Sequence, residues 1–124
     1  MEQLLLHLFG DYILQNDNVG VRKKEKSLIG LLYCIYHCIT YSIPFFFITN
    51  WLGVILIAVT HFIIDRWNFT GHFIKTKNFV KTLENFGYKK ERPFAITIWL
   101  YIIQDNTLHL ICNYLIIKYI ILWV

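Results

Sequence analysis

The chain has 124 residues, of which 56% are hydrophobic, 18% aromatic and only 16% charged, against roughly 25% charged in an ordinary soluble domain. That excludes a disordered tail, and at about 100 to 200 residues per domain it leaves room for one unit rather than a two-domain enzyme. Twelve Lys and Arg against eight Asp and Glu give a formal charge of +4. In so apolar a chain this surplus points to the lipid bilayer and its anionic headgroups as partners, and no nucleic acid is expected, because a nucleic-acid module needs its basic residues on a water-exposed face.

Residues 2–16, EQLLLHLFGDYILQN, form a first apolar helical pattern, short for a membrane span and ended by the polar QNDN at 15–18. It lacks a basic start and a small-residue cleavage site, so it reads as part of the mature fold rather than as a signal peptide. After the basic run RKKEK at 22–26, residues 27–49 carry no formal charge and predict a membrane-spanning helix in which Pro44 makes a kink. Residues 51–70 predict a second, with Trp51 and Trp67 suited to the two water interfaces.

The stretch 71–92 is polar, yet Phe79, Val80, Leu83 and Phe86 recur at helical spacing among Lys75, Lys77, Lys81, Lys89 and Lys90. This predicts a short amphipathic helix lying on an anionic membrane surface, with a solvated helix that caps the bundle as the alternative. Pro93 stands where the last helix would start, and 93–124 at about 1.5 Å per residue exceeds a ~30 Å hydrocarbon core, so that helix must tilt, protrude or break. The predicted fold is all-α: a single membrane domain over 1–124, an integral membrane four-helix bundle with helices near 2–16, 27–49, 51–70 and 93–124. The basic residues place loops 17–26 and 71–92 on the cytoplasmic side of a bacterial inner membrane and both termini outside.

Cys34, Cys38 and Cys112 lie in apolar runs and read as small hydrophobic residues; Cys34, His37 and Cys38 are also spaced for a soft-metal set, a weaker reading. More telling are three His/Asp pairs, His7 with Asp11, His61 with Asp65 and Asp105 with His109, each at i, i+4 and so on one helix face. His37 occupies the middle of the remaining helix. The pair order reverses in the last helix, which runs opposite to the first and third, so the aspartates share a layer nearer the cytoplasm and the histidines a layer farther out.

An ionised Asp at the centre of a membrane helix costs about 2.5 to 3.5 kcal/mol on insertion scales, and three of them need a common partner. A divalent transition metal (Zn, Mn, Fe or Ni), as one ion or two, matches imidazole and carboxylate donors projecting inward from bundle helices. The candidate ligands are His7, Asp11, His37, His61, Asp65, Asp105 and His109, and Asp11, Asp65 and Asp105 are the candidates for acid–base catalysis. A purely structural Asp–His network and an ion path are the competing readings. His72 reads as interfacial, and Arg66 as a residue that snorkels to the headgroups. GxGxxG, P-loop, HExxH, CxxC and GxSxG motifs are absent from the sequence, which gives no support to nucleotide cradles, zincin proteases or serine hydrolases.

HLFGDYILQND at the start, HCITY around His37, THFIIDRW and the late QDNTLHL resemble an uncharacterised family of small bacterial and phage integral membrane proteins. That family carries HLxGDFxLQ, a mid-helix His, HxxID and DQxxH in the same order; here Gln104-Asp105 stands in place of Asp-Gln. The outline is also similar to membrane-bound metal-dependent hydrolases. The function expected is a metal-dependent hydrolase of a phosphate ester or lipid-like substrate that reaches the site from the cytoplasmic leaflet. The alternatives are a metal-ion or proton transporter and a non-enzymatic, phage-encoded modulator of a host partner, and a homo-oligomer is compatible with each.

Overall fold

Six α-helices and three shorter helical turns, with no strand among the described residues, make up the computed structural model, which describes residues 1–121. Helix α1 (Glu2–Leu8) runs on through a π-helical turn (Phe9–Ile13), and α2 (Asp17–Arg22) follows. Helix α3 (Leu28–Ser42) tightens into a 3-10 turn (Ile43–Phe47) at Pro44, and α4 (Trp51–Arg66) returns beside it. Then come α5 (Phe69–Lys77), a 3-10 turn (Glu84–Gly87) and α6 (Phe94–Ile121). The starts of α2 to α5 are written in the sequence: the side-chain oxygens of Asn16, Ser27, Asn50 and Asn68 each accept from an amide of the first turn, satisfying a donor that the helix itself leaves free.

Helix α3 packs along α4 and α4 along α6, while α1 lies against α6, with Gln3 Nε2 donating to the Leu110 carbonyl at 3.3 Å. Gly10 lets the π turn approach α3: a Cβ there would stand 2.6 Å from Tyr41 Cδ2. About half of the buried side chains are polar. A small apolar cluster of Tyr41, Phe45, Val54 and Ile57 is buried as a unit, and four histidines, Asn113 and Thr70 are also buried. Large apolar side chains face outward instead, including Leu32, Ile39 and Phe47 around α3 and Trp99, Ile103 and Leu115 on α6.

One helical stretch, Leu28–Phe47, is long and apolar enough to cross a membrane, and Trp51–Arg66 with Phe69–Lys77 passes the same test as a pair bent by 59°. The bend explains why the expected span over 51–70 is divided: Asn68 adopts a left-handed conformation (φ 49°) and caps α5. Helix α6 runs unbroken for 28 residues, about 42 Å, but Gln104, Asp105 and Asn106 interrupt its apolar run. The all-α class holds; among the described residues one helix, or two if the bent pair counts as one, is long and apolar enough to cross a membrane, against the four spans expected. The loop expected over 17–26 contains α2, and the last helix is described only as far as residue 121, so the part of the expected 93–124 helix beyond it lies outside the described residues.

The amphipathic helix expected within 71–92 is corrected. Helix α5 ends at Lys77, and Phe79 (φ 53°), Asn85 (φ 50°) and Phe86 (φ 58°) are left-handed, which a right-handed helix cannot accommodate. Side-chain pairing at Asn85 holds this turn: Asn85 Nδ2 donates to the carbonyls of Lys89 and Arg92 at 3.0 and 2.9 Å, and Thr97 Oγ1 donates to Asn85 Oδ1 at 2.7 Å. Phe86 turns onto Phe94 and Tyr101, with ring centroids 5.6 and 5.1 Å apart, so this member of the apparent stripe packs against α6.

Candidate metal centre

Helix α3 carries His37 and α4 carries His61, and their antiparallel packing brings the two Nε2 atoms to 2.9 Å. The π turn after α1 places Asp11 Oδ1 at 3.2 Å from His37 Nε2 and 3.5 Å from His61 Nε2. One turn along α4 from His61, Asp65 directs Oδ2 toward the same pair, at 3.6 and 3.4 Å, and Oδ1 toward His109 Nε2 of α6 at 3.4 Å. Two sets of donor atoms result, Asp11–His37–His61 and His61–Asp65–His109, each with all its members within 4.8 Å of one another. These separations have the size of the edge of a tetrahedral shell, ~3.3 Å for bonds of about 2.0 to 2.1 Å. Either set could hold a metal ion.

The imidazoles are fixed by packing. The Tyr41 ring stacks on His61 at 3.8 Å between centroids, and His61 stacks on His109 at 4.1 Å. His37, His61 and His109 are all buried, and His109 Nε2 has no hydrogen-bond partner among the described residues. An imidazole nitrogen facing a carboxylate across an unfilled bond is a poor arrangement for a purely structural network, in which buried polar atoms are paired.

The other sequence-predicted residues fall around this centre. His7 is buried with both ring nitrogens engaged: Nδ1 lies 2.7 Å from the Tyr41 hydroxyl and Nε2 2.8 Å from Asn106 Oδ1. Asn113 Nδ2 donates to the same Tyr41 hydroxyl at 2.7 Å and Asn106 Nδ2 to the Tyr12 hydroxyl at 2.9 Å, giving a continuous chain of donors and acceptors. In that chain Tyr41 donates to His7 Nδ1, and His7 Nε2 donates to Asn106. His7 therefore belongs to the supporting network, with Nδ1 3.4 Å from Asp11 Oδ2, and lies outside both donor sets. Asp105 also lies outside them: Thr70 Oγ1 donates to its Oδ1 at 2.5 Å, and its Oδ2 is 3.7 Å from His109 Nε2. Cys34 and Cys38 are buried but join neither set, His72 is exposed, and Arg66 donates to the Glu25 carbonyl at 2.6 Å.

Asp11, Asp65 and Asp105 line a cleft of about 190 Å³ together with Gln15, Lys23 and Lys24. It opens at the end of the bundle where α2 lies, and the histidines stand behind the carboxylates. Lys23 is itself only 8% exposed and donates to Asp65 Oδ2 at 2.6 Å. Burial alone would lower the pKa of this ammonium, but the Asp65 carboxylate outweighs it and the pKa is raised, so the side chain is held charged. Three carboxylates against one buried ammonium leave two negative charges at the centre, the deficit that one divalent cation would balance. The sequence reading missed Lys23, Tyr41, Thr70, Asn106 and Asn113. Lys23 was hidden within a basic run, whereas Tyr41, one turn beyond His37, and Asn113, one turn beyond His109, carried a signal in their spacing.

A family model described as a protein of unknown function, DUF3307, matches residues 1–124, the whole chain. No curated protein matches, and neither does any solved structure.

Proposed function

The chain belongs to the DUF3307 family, and we propose that it is a membrane-embedded, metal-dependent hydrolase acting on a phosphate ester or lipid-like substrate. The observation that carries this reading is the pairing of converging imidazole and carboxylate donors with a cleft that reaches the carboxylates. Membrane embedding is supported by the placement of polarity, with histidines and an asparagine buried while most of the leucines, isoleucines and aromatics are exposed or half-buried.

His37, His61, His109, Asp11 and Asp65 would hold the ion. Bound there, a divalent cation supplies a hydroxide near neutral pH and polarises a phosphoryl oxygen. Asp105 lies on the cleft wall outside both donor sets, oriented by Thr70, and is placed to take the proton of an attacking water. Lys24, also on the cleft wall, offers positive charge to an incoming anion. A transit path through the same donors is disfavoured by what lies behind them, where Tyr41, Phe45 and Ile57 are each 0% exposed and close the bundle.

The test is elemental analysis of protein purified in detergent without chelator, followed by a screen of phosphomonoester, phosphodiester and phospholipid hydrolysis. Stoichiometric metal, with hydrolysis abolished in Asp105→Asn while the metal stays bound, is the expected result. Metal-free protein whose melting is unchanged by Zn, Mn, Fe or Ni would overturn it.

A further inference from the structure

Asp65 Oδ2 is claimed twice. It is 2.6 Å from Lys23 Nζ, and it is also the oxygen aimed at His37 Nε2 and His61 Nε2, at 3.6 and 3.4 Å. A metal bonded to that oxygen at about 2.0 Å would place two cations within roughly 4 Å of each other in a poorly screened interior. The ammonium and the ion therefore compete for one carboxylate.

The geometry points to Lys23 as an exchangeable counter-cation: it occupies Asp65 in the metal-free protein, and on metal binding it turns into the cleft to hold the oxyanion of the substrate. This rests on the metal-dependent reading above and adds the residue that recognises the substrate's anionic group. Three features make the exchange feasible. Lys23 is the residue that follows the short helix α2, on a long unbranched stem, and it already lines the cleft. Lys24 lies beside it on the same wall, its Nζ 5.6 Å from the Tyr101 ring centroid, so the displaced ammonium joins an existing positive region. Gln15 lines the cleft as well, and its Oε1 is buried with no partner among the described residues, so it offers an acceptor to the displaced ammonium. Two ammonium groups beside a metal are a recognition set for a phosphate or phosphate-ester oxyanion.

The experiment titrates Zn²⁺ and then inorganic phosphate into the full chain in detergent, comparing wild type, Lys23→Met and Lys23→Arg, and follows Lys23 acylation by mass spectrometry in the wild type. Lys23→Met should bind Zn²⁺ at least tenfold more tightly, because the competitor is gone, yet its Zn-loaded form should bind phosphate at least tenfold more weakly. Lys23→Arg should retain phosphate binding. In the wild type Zn²⁺ should speed Lys23 acylation, a readout that needs no variant to fold. Zn²⁺ binding that is unchanged or weakened in Lys23→Met, together with Lys23 acylation indifferent to Zn²⁺, would overturn the exchange while leaving the metal centre standing. No Zn²⁺ binding by wild type would overturn both.

Discussion

His37 and His61, from adjacent antiparallel helices, meet nitrogen to nitrogen at 2.9 Å, with Asp11 Oδ1 completing a triangle at 3.2 and 3.5 Å. Two neutral imidazoles in this arrangement share at most one proton between them, and the Nδ1 atoms on their far sides are buried without partners among the described residues. A cation bonded to both Nε2 atoms uses both lone pairs at once. The expected outcome for His37→Ala or His61→Ala is a loss of metal affinity of tenfold or more with helicity retained. Histidine ligands must be neutral to bind, so protons compete with the ion and wild-type metal affinity should fall on acidification. Metal affinity that shows no dependence on pH would count against histidine ligation.

Tyr41 gives a contrasting case. Its hydroxyl stands between His7 Nδ1 and Asn113 Nδ2, both at 2.7 Å, and its residue is fully buried. Tyr41→Phe removes one oxygen and strands two buried polar atoms, each costing about 1 to 3 kcal/mol when left unpaired. A clear fall in Tm with metal stoichiometry retained is expected. Loss of metal at unchanged Tm would instead place Tyr41 among the ligands.

What the sequence conveyed about this site follows from the reach of helical periodicity. Spacing of i, i+4 places His61 and Asp65 on one face whatever the tertiary structure, so those pairs could be read directly. The same periodicity grouped His7 with the ligands, because it cannot show that Tyr41 and Asn106, distant in sequence, satisfy both ring nitrogens. Lys23 looked like one of several loop lysines until α2 folded back over the carboxylates. The stripe at 79–86 misled for a related reason: hydrogen bonds from Asn85 to the Lys89 and Arg92 carbonyls, and from Thr97 to Asn85, outweigh the weak intrinsic preference of a short amphipathic segment.

Gly10 tests the contact that brings Asp11 into the centre. A methyl group there would meet Tyr41 Cδ2 at 2.6 Å and its Cα at 3.2 Å, closer than side chains pack. Tyr41 cannot yield freely, since its hydroxyl is tied to Asn113 and its ring is stacked on His61. Gly10→Ala should therefore destabilise by about 1 to 3 kcal/mol. It should also weaken metal binding, by moving the turn that bears Asp11. Wild-type Tm and metal affinity in this variant would mean that the π turn does not pack against α3 in this way.

The last prediction concerns the two basic loops and the membrane proposed around the bundle. Lys24 reaches the Tyr101 ring of α6 at 5.6 Å, and Lys77 Nζ donates to Gln104 Oε1, one turn further along the same helix, at 2.6 Å. Both loops therefore lie at one end of the molecule, the end where the carboxylate cleft opens, and the positive-inside tendency predicts that this end faces the cytoplasm. Cysteines placed at Lys24 and Lys77, in a background without Cys34, Cys38 and Cys112, should both resist an impermeant maleimide in intact cells and react in inverted vesicles. Phe79, 96% exposed beside these lysines, is expected to enter the headgroup region, so Phe79→Trp should blue-shift in anionic vesicles and less in zwitterionic ones. Labelling of the two positions from opposite sides would break the shared end, and with it the placement of the cleft toward the cytoplasmic leaflet.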